Sequence, residues 1–320
     1  MVDSRDSARL PLWLALSGAV FVGALTAIQA RINGQLGVRL DDGFVAAAVS
    51  FGSGFVILIV LSAALPVGRR GLATLVSGLR ERSIPWWMLA GGAAGAFTVA
   101  TQGLAVGFIG VSLFTVGVVA GQTLNGLVLD RLGFGPGGVV AVTVPRLLGG
   151  ALALAAVGVS LLGDGVSGIP LWMLVLPLLA GVGIAWQQAT NGRLRQRVGM
   201  PLTATLVNFT GGTAILVTAA VIHVAIVGPP APFPLEPWLY LGGALGVVYI
   251  FLSAALVSRT GVLLLGLGTV VGQLVMSVVI DAAWPAQGSP GILQETAMVA
   301  VALASVVVAA APWSRLRRRR

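Results

Sequence analysis

Residues 23–36 read GALTAIQARINGQL and residues 181–194 read GVGIAWQQATNGRL, so one Gly-x-x-x-Ala-x-Gln-x-x-x-Asn-Gly-x-Leu pattern occurs twice, 158 positions apart. The same offset also pairs residues one helix later: Ala46, Val49, Phe51, Gly54 and Leu58 with Ala204, Val207, Phe209, Gly212 and Leu216. An offset of 151 then pairs Trp87, Gly91, Gly92, Gly95, Gly121-Gln122 and Asp130 with Trp238, Gly242, Gly243, Gly246, Gly272-Gln273 and Asp281. Chance matches among apolar residues do not produce these polar pairs in register, so the chain contains an internal duplication.

The composition is that of a polytopic membrane protein. The 320 residues are 57% hydrophobic and only 9% charged, with a mean hydropathy of +0.99. Soluble domains contain about a quarter charged residues. The chain has no cysteine and a single histidine, His223, which excludes thiolate metal sites, cysteine nucleophiles and sites that need several imidazoles. It has no lysine, so a phosphate-binding loop of the Gly-Lys-Ser/Thr type is also excluded.

Apolar runs of roughly 20 residues, enough to cross a bilayer as a helix, define the predicted spans. There are ten of them, at 12–31, 43–66, 85–107, 109–130, 138–162, 170–190, 202–227, 237–258, 260–281 and 292–313. Almost nothing connects the third span to the fourth at Gly107–Gly110, or the eighth to the ninth at Ser258–Gly261. Helical hairpins are expected at both places, since backbone in hydrocarbon must satisfy its own hydrogen bonds.

The arginines predict the orientation. With the N-terminus in the cytoplasm, 17 arginines lie on the cytoplasmic side, and only Arg31 and Arg39 lie outside, near Asp41 and Asp42. This is the positive-inside bias, and it favours loop arginines over a nucleic-acid-binding patch. An even number of spans returns the Arg-rich tail to the cytoplasm. We therefore expect a multi-pass protein of the inner membrane with both termini cytoplasmic.

Each copy of the duplication contains five spans, and five is odd, so the second copy must enter the membrane from the opposite side. The predicted fold class is all-α, a polytopic membrane protein with ten transmembrane helices arranged as two inverted-topology five-helix repeats. The predicted divisions are a cytoplasmic segment 1–11, repeat one at 12–162, a linker at 163–169, repeat two at 170–313 and an Arg-rich tail at 314–320. Inverted repeats build many secondary transporters, with the substrate site where the halves meet.

The motif set resembles a known family. The Gln-x-x-x-Asn-Gly pattern, the Phe-x-x-Gly of the next helix and the later Gly-Gln pair followed by Asp are similar to the YdcZ-type family (domain of unknown function 606) of the drug/metabolite transporter superfamily. Short members of that family have five helices, and this chain resembles two such units fused. The resemblance implies a bacterial inner-membrane transporter that works without a cofactor. The embedded Glu of the small multidrug-resistance relatives has no counterpart here, so their proton exchange is not implied.

Polar residues inside the spans are the candidate substrate-binding groups, because such groups are costly in a membrane. Gln29 and Asn33 are four residues apart on one helical face, and Gln187 and Asn191 repeat this spacing. Ser50 and Asn208 occupy equivalent positions beside the matched phenylalanines, and Thr98, Gln102 and Tyr249 are further polar residues. Amides suit a polar or zwitterionic substrate, but they also cap helices or bond across helix interfaces, and the sequence leaves both roles open.

Four further residues are weaker candidates. Gln122 and Gln273 follow glycines, which indicates either a cavity amide or an interhelical hydrogen bond at a close crossing. Asp130 and Asp281 end the fourth and ninth spans, and are the nearest candidates for proton coupling, although a solvated carboxylate at the membrane surface is the alternative. His223 has no repeat equivalent and is interpreted as an interfacial histidine. We predict no metal site.

The predicted function is a secondary transporter or exporter that moves a small polar or amphipathic metabolite across the inner membrane by alternating access. The alternatives are a non-transporting membrane scaffold or accessory subunit, and a passive channel or lipid flippase. A membrane enzyme is disfavoured, since one His and terminal carboxylates supply no catalytic constellation. The expected partners are the lipid bilayer and a small-molecule substrate, with no nucleic acid. A ten-helix transporter of this superfamily suggests a monomer by analogy, but nothing in the sequence establishes the oligomeric state.

Overall fold

The computed structural model describes residues 12–135, 138–139, 141–160, 169–286 and 291–310. The predicted N-terminal segment 1–11, residues 163–168 of the predicted linker and the Arg-rich tail 314–320 lie outside the described residues. The described part is all-α. Repeat one contains α1 (Leu12–Leu40), α2 (Gly43–Ala64), α3 (Pro66–Arg80), a 3-10 turn (Trp86–Leu89), α4 (Gly91–Thr101), a π-helical segment (Gln102–Val106), α5 (Gly107–Ile109), α6 (Val111–Leu132) and α7 (Val144–Ser160). Repeat two contains α8 (Leu171–Val198), α9 (Pro201–Val227), a 3-10 turn (Pro237–Tyr240), α10 (Gly242–Ala283) and α11 (Ile292–Ala310).

The predicted spans correspond to these helices. Four described segments are long and apolar enough to cross a membrane: Gly43–Ala64, Trp86–Leu132, Leu171–Val198 and Pro201–Val227. Shorter apolar helices lie at Val144–Val159, Gly242–Leu252, Gly268–Ala283 and Ile292–Val308. The third and fourth predicted spans separate at Gly110, whose φ of 83° and ψ of 166° are accessible to glycine but not to other residues without strain.

Three helices differ from the prediction. Helix α8 continues to Val198, eight residues beyond the predicted end of the sixth span. Helix α1 continues to Leu40, nine residues beyond the predicted end of the first span. Helix α3 occupies a stretch that was predicted to be a loop, because the sequence contains no apolar run there. It begins with Pro66 in its first turn, and it alternates buried Gly71 and Leu75 with exposed Arg69 and Arg70, so it is amphipathic.

The first and last parts of α10 both pack along α1, but the chain passes along α1 in opposite directions in the two parts. Gly242, its first residue, contacts the side chain of Asn33, and Gly268, far along it, contacts Ala19. Trp284 follows its last residue and lies 4.8 Å from the guanidinium carbon of Arg31. A straight 42-residue helix would be about 63 Å long, so its two ends could not both lie beside residues 31–33. The chain therefore reverses direction between Leu252 and Gly268, as the two predicted antiparallel spans require.

The first helix of repeat two packs against repeat one in the same way. Helix α8 lies between α4 and α6, where Gly91 contacts Asn191, Gly117 contacts Pro177 and Arg193 binds the carbonyl of Gly133. Each repeat thus inserts its first helix between the third and fourth spans of the other repeat. An apolar core joins α1, α6, α7, α8, α10 and α11 around these crossings, with Phe114, Leu274 and Met298 almost completely buried.

The equivalent helices α2 and α9 are antiparallel, which establishes that the repeats are inverted. At one end of the pair, Asp42 contacts His223, and at the other end Gly71 of α3, the helix that follows α2, lies against Thr203. Between them, Gly54 contacts Phe209 and Gly212 contacts Phe51. We call the end that contains Asp42 and His223 the Asp281 end, since Asp281 lies there too, and the opposite one the Arg193 end.

Candidate functional site

Two phenylalanines mark the point where the repeats cross. Phe51 of α2 and Phe209 of α9 are buried and stacked, with ring centroids 4.7 Å apart and an interplanar angle of 27°. Each ring occupies the space above a glycine of the opposite helix: a Cβ on Gly54 would overlap Phe209, and one on Gly212 would overlap Phe51. The repeat-related pairs therefore lie about a pseudo-twofold axis that passes between the rings.

A cluster of polar side chains lies on one side of this pair, and we call it the Asn33 cluster: Gln29, Asn33, Ser50 and Gln102. Gln29 Nε2 donates to the carbonyl of Gly242 at 2.7 Å, and Asn33 Nδ2 donates to Gln102 Oε1 at 2.7 Å. Asn33 is 0% exposed. Within the described residues, Asn33 Oδ1 and Ser50 Oγ have no hydrogen-bond partner. The cluster therefore has a buried acceptor and a buried hydroxyl that are not used by the protein.

A second cluster, the Asn191 cluster, contains Gln187, Asn191 and Asn208. Asn208 Oδ1 accepts from Gln187 Nε2 at 2.9 Å and from Asn191 Nδ2 at 3.1 Å. Asn191 Oδ1, like Asn33 Oδ1, is buried and has no partner in the described part of the chain. Because Asn208 reaches two amides where Ser50 is too short, the two clusters have related positions but different hydrogen bonds.

Both clusters adjoin the phenylalanine pair. A Cβ on Gly246 would lie 2.9 Å from Gln29 Nε2 and 3.4 Å from the Phe209 ring. A Cβ on Gly95, the repeat equivalent, would contact Gln187 Nε2 and lie 3.1 Å from the Phe51 ring. The Asn33 cluster lies toward the Asp281 end and the Asn191 cluster toward the Arg193 end. From the Asp281 end to the Arg193 end, the order is therefore the Asn33 cluster, the stacked rings and the Asn191 cluster.

Six of the predicted binding residues therefore come together in two groups, while Gln122 and Gln273 do not join them. Gln122 Nε2 donates to Gln188 Oε1 at 3.1 Å on a partly exposed surface. Gln273 is buried where α10 crosses α1, with its backbone nitrogen 2.6 Å from a Cβ placed on Gly23. Both lie at close helix crossings that glycines permit.

The two predicted coupling carboxylates have different surroundings. Asp130 is paired with Arg146, and about a third of its side chain is exposed. Asp281 is 3% exposed and accepts hydrogen bonds from the backbone N–H groups of Val111 and Ser112, at 3.0 and 2.6 Å. The interpretation of Asp281 as a solvated surface carboxylate is therefore wrong, because it caps the N-terminus of α6 from inside the bundle.

Comparison with known proteins identifies the family. A family model whose description reads "Putative inner membrane exporter, YdcZ", in the drug/metabolite transporter class, matches residues 14–159 and again residues 172–311. The chain belongs to this YdcZ family. The two matched segments are the two repeated units, so this protein contains two fused family units. No curated protein sequence matches the chain.

A solved structure described as "Crystal structure of protein" shares the fold of this YdcZ-family protein. The two are 21% identical, the alignment covers 96% of this chain and 98% of the other, and the TM-score is 0.52. Family membership makes the protein a multi-pass inner-membrane transporter, and a family of exporters indicates transport rather than catalysis. Among the residues that the structure describes, no group of three or more His, Asp or Glu could hold a metal ion.

Several contacts of this YdcZ-family protein were not predicted. Arg31 and Arg39 do not pair with Asp41 and Asp42: Arg39 pairs with Glu236 at 2.9 Å, and Arg31 is buried. Asp42 instead contacts His223 at 3.0 Å, so His223 has a specific partner. Gln102 was noted only as a further polar residue, although it lies in a π-helical segment, a feature that is frequent at functional sites.

Proposed function

We propose that this protein exports a small polar or amphipathic metabolite by alternating access, and that the Asn33 and Asn191 clusters are the two halves of its binding site. The observation that carries the proposal is the pair of repeat-related amide clusters on either side of Phe51 and Phe209, each with a buried amide oxygen that lacks a partner.

The unpaired oxygens favour a ligand over a purely structural role. Leaving a buried polar group without a hydrogen bond costs about 1–3 kcal/mol. A structural amide would be expected to have both its donor and its acceptor satisfied, as most buried groups are. Asn33 Oδ1 and Asn191 Oδ1 instead lack a partner among the described residues, and each can accept a hydrogen bond from a substrate amine, amide or hydroxyl when the helices around it separate. Because no fixed charge lies in either cluster, a substrate of low net charge fits them best.

The inverted symmetry supports alternating access as the mechanism of transport. Two inverted repeats of the same sequence ancestry can adopt one conformation in which a cluster is open and its counterpart in which it is closed. If the repeats exchange these conformations, the helices around one cluster separate while those around the other close. The stacked rings then form the barrier between the two aqueous sides. This is the rocking of inverted repeats about a central site.

The test is a thermal-shift screen of a metabolite library on the purified protein, followed by flux of each hit in proteoliposomes. A ligand present at 100 times its Kd stabilises the folded state by about 2.7 kcal/mol, which a shift in Tm detects. We expect Asn33→Ala and Asn191→Ala each to weaken binding by roughly tenfold, the equivalent of about 1.4 kcal/mol. Asn125→Ala is the matched control, because Asn125 Nδ2 donates to the Val182 carbonyl on an exposed surface.

Each outcome separates the candidate functions. Saturable flux that both cluster variants reduce, but Asn125→Ala does not, supports the proposal. Flux that rises linearly with concentration indicates a channel, and ligand binding without flux indicates a scaffold. Full binding and flux in both cluster variants would remove the two amides from the site.

A further inference from the structure

Arg31 is a buried cation without a hydrogen-bond partner in the described residues. Its side chain is on α1, only 4% of the residue is exposed, and none of its three guanidinium nitrogens is paired. The guanidinium lies over the ring of Trp284, 4.8 Å from the centroid. Arg193 at the opposite end is different: its Nε and Nη2 donate to the carbonyls of Phe134 and Gly133 at 2.8 and 2.7 Å. The end of α6 satisfies Arg193, but nothing comparable satisfies Arg31.

One buried carboxyl group lies near Arg31, and a second lies near the first. Asp281 of α10 is within electrostatic reach of Arg31, and Glu295, in the first turn of α11, is within electrostatic reach of Asp281. Glu295 is 2% exposed. Helix α6 contributes the two N–H groups that bind Asp281, together with the hydroxyl of Ser112 and the hydroxyl of Thr115, which has no partner among the described residues. Among the described residues of these four helices, the charged groups at this point are therefore one cation and two carboxyls.

The charges do not balance when all three groups are ionised. One guanidinium and two carboxylates give a net negative charge, and an uncompensated charge away from water is expensive. One proton neutralises the cluster. A metal cation fits less well, because Arg31 would repel it and only two carboxylates are present. The cluster is therefore suited to gain and lose a single proton.

We propose that Arg31, Asp281 and Glu295 form the proton-coupling site of the transporter, which takes up one proton onto a carboxylate oxygen from the water at the Asp281 end. This inference rests on the proposed function for its link to transport, but proton binding itself does not. When the proton leaves to water, the second carboxylate attracts the guanidinium, and Arg31 can leave the Trp284 ring to pair with it.

Helix α1 connects this site to the substrate site. Arg31 lies between Gln29 and Asn33 in the sequence, and Asn33 is held by Gln102. A movement of Arg31 toward the carboxyls turns or shifts the same helical segment, and therefore changes the contacts of Gln29 with Gly242 and of Asn33 with Gln102. Proton binding and substrate binding are then coupled, and each changes the affinity for the other by the same factor.

Infrared difference spectroscopy of the protein in lipid nanodiscs tests the proposal without any substrate. Between about pH 5, where ordinary carboxyls have already lost most of their protons, and about pH 9, we expect the C=O stretch of a protonated carboxylic acid to disappear as the pH rises. Glu295→Gln and Asp281→Asn should each alter this signal, and at least one should abolish it. Asp130→Asn is the matched control, since it changes the repeat-related carboxylate that is paired with Arg146.

A further variant keeps the proposal testable even if the carboxyl variants misfold. Arg31→Gln removes the nearby positive charge, which makes the carboxylate harder to form, so the midpoint of the same signal should move to higher pH. Arg39→Gln, which changes the exposed arginine paired with Glu236, should not move it. Absence of the signal in the native protein, or an unchanged signal in all three cluster variants, overturns the proposal.

The coupling to transport has its own measurement. With a ligand from the thermal-shift screen, the affinity of the native protein should depend on pH over the range of the infrared titration, and Glu295→Gln should remove that dependence. If the amide variants bind the ligand normally while the infrared signal behaves as expected, the proposed substrate site is wrong and the proton site stands. If Glu295→Gln keeps the full pH dependence, Glu295 is not the coupling group and the proposal fails.

Discussion

At the scale of single residues, glycines set how closely the repeats approach. Gly92 of α4 lies against the backbone of α9, where a Cβ would be 2.7 Å from the nitrogen of Gly212. Gly243 repeats the contact on α2, where a Cβ would be 2.5 Å from the nitrogen of Gly54. Because these neighbours are backbone atoms, they cannot turn aside as a side chain could.

Gly92→Ala should therefore destabilise the protein, by about 1–3 kcal/mol, the usual cost of overpacking. Gly52→Ala in α2 is the matched control: a Cβ at Gly52 meets nothing within 4 Å, so the substitution should stabilise the helix by roughly 0.5–1 kcal/mol. Thermal unfolding of both variants in the same detergent measures the difference. Equal stabilities for the two variants would show that the α4–α9 contact accommodates an added methyl group without loss of stability.

The amide residues were predictable for a reason that does not extend to the charged cluster. The spacing of Gln29 and Asn33 puts both on one helical face, and the duplication gives the same pair again at Gln187 and Asn191. Arg31 and Glu295 have no repeated counterpart. Their environment depends on α6 and α10, which are distant in sequence, so no local pattern shows that they are buried.

At the scale of helices, one carboxylate connects α2 and α9. Asp42 Oδ1 accepts from the backbone N–H groups of Phe44 and Val45 at 2.9 and 3.0 Å, which caps α2, and Asp42 Oδ2 contacts His223 Nδ1 of α9 at 3.0 Å. The cap is local and buried, whereas the histidine is partly exposed. The two contacts should therefore differ in strength.

Asp42→Ala should lower the free energy of unfolding by about 0.5–2 kcal/mol, the range for loss of an N-terminal cap, and it also leaves His223 without its partner. His223→Ala should cost less, because Asp42 keeps both N–H donors. Asp42→Asn separates the effects, since Asn is as good a capping residue but lacks the charge. Unfolding of the three variants in one detergent gives the order. A larger loss for His223→Ala than for Asp42→Ala would contradict this account.

Helix positions were predictable where a helix is uniformly apolar. The predicted span 43–66 corresponds closely to α2, and the span 202–227 to α9. Helix α3 was missed because its polar residues interrupt the apolar run, and only its packing against α8 and α9 identifies its buried face. Helix α1 extends past Arg31, which looked like a membrane boundary in the sequence, because that arginine is buried beside Trp284, directly after α10, and not exposed to water.

At the scale of the whole molecule, the inverted arrangement depends on an odd number of crossings in each repeat. The structure supplies the internal evidence, since α2 and α9 are antiparallel and each repeat encloses the first helix of the other. Which end faces the cytoplasm is a separate matter, and the arginines are the evidence for it. Of the 19 arginines, 17 fall on one predicted side. The positive-inside bias predicts that the Arg193 end is cytoplasmic and that the Asp281 end lies outside.

Single cysteines test this orientation cleanly, because the chain has none of its own. Leu235 is 95% exposed in the loop before α10, and Glu81 is exposed directly after α3 at the opposite end. We expect a membrane-impermeant thiol reagent to label Leu235→Cys in intact bacterial cells, and to label Glu81→Cys only after the membrane is permeabilised. Reporter fusions at the two termini should both report the cytoplasm. Labelling of both cysteines from outside, or termini in different compartments, would be incompatible with five crossings in each repeat. The repeats would then not be inverted, and the two amide clusters would not face opposite sides of the membrane.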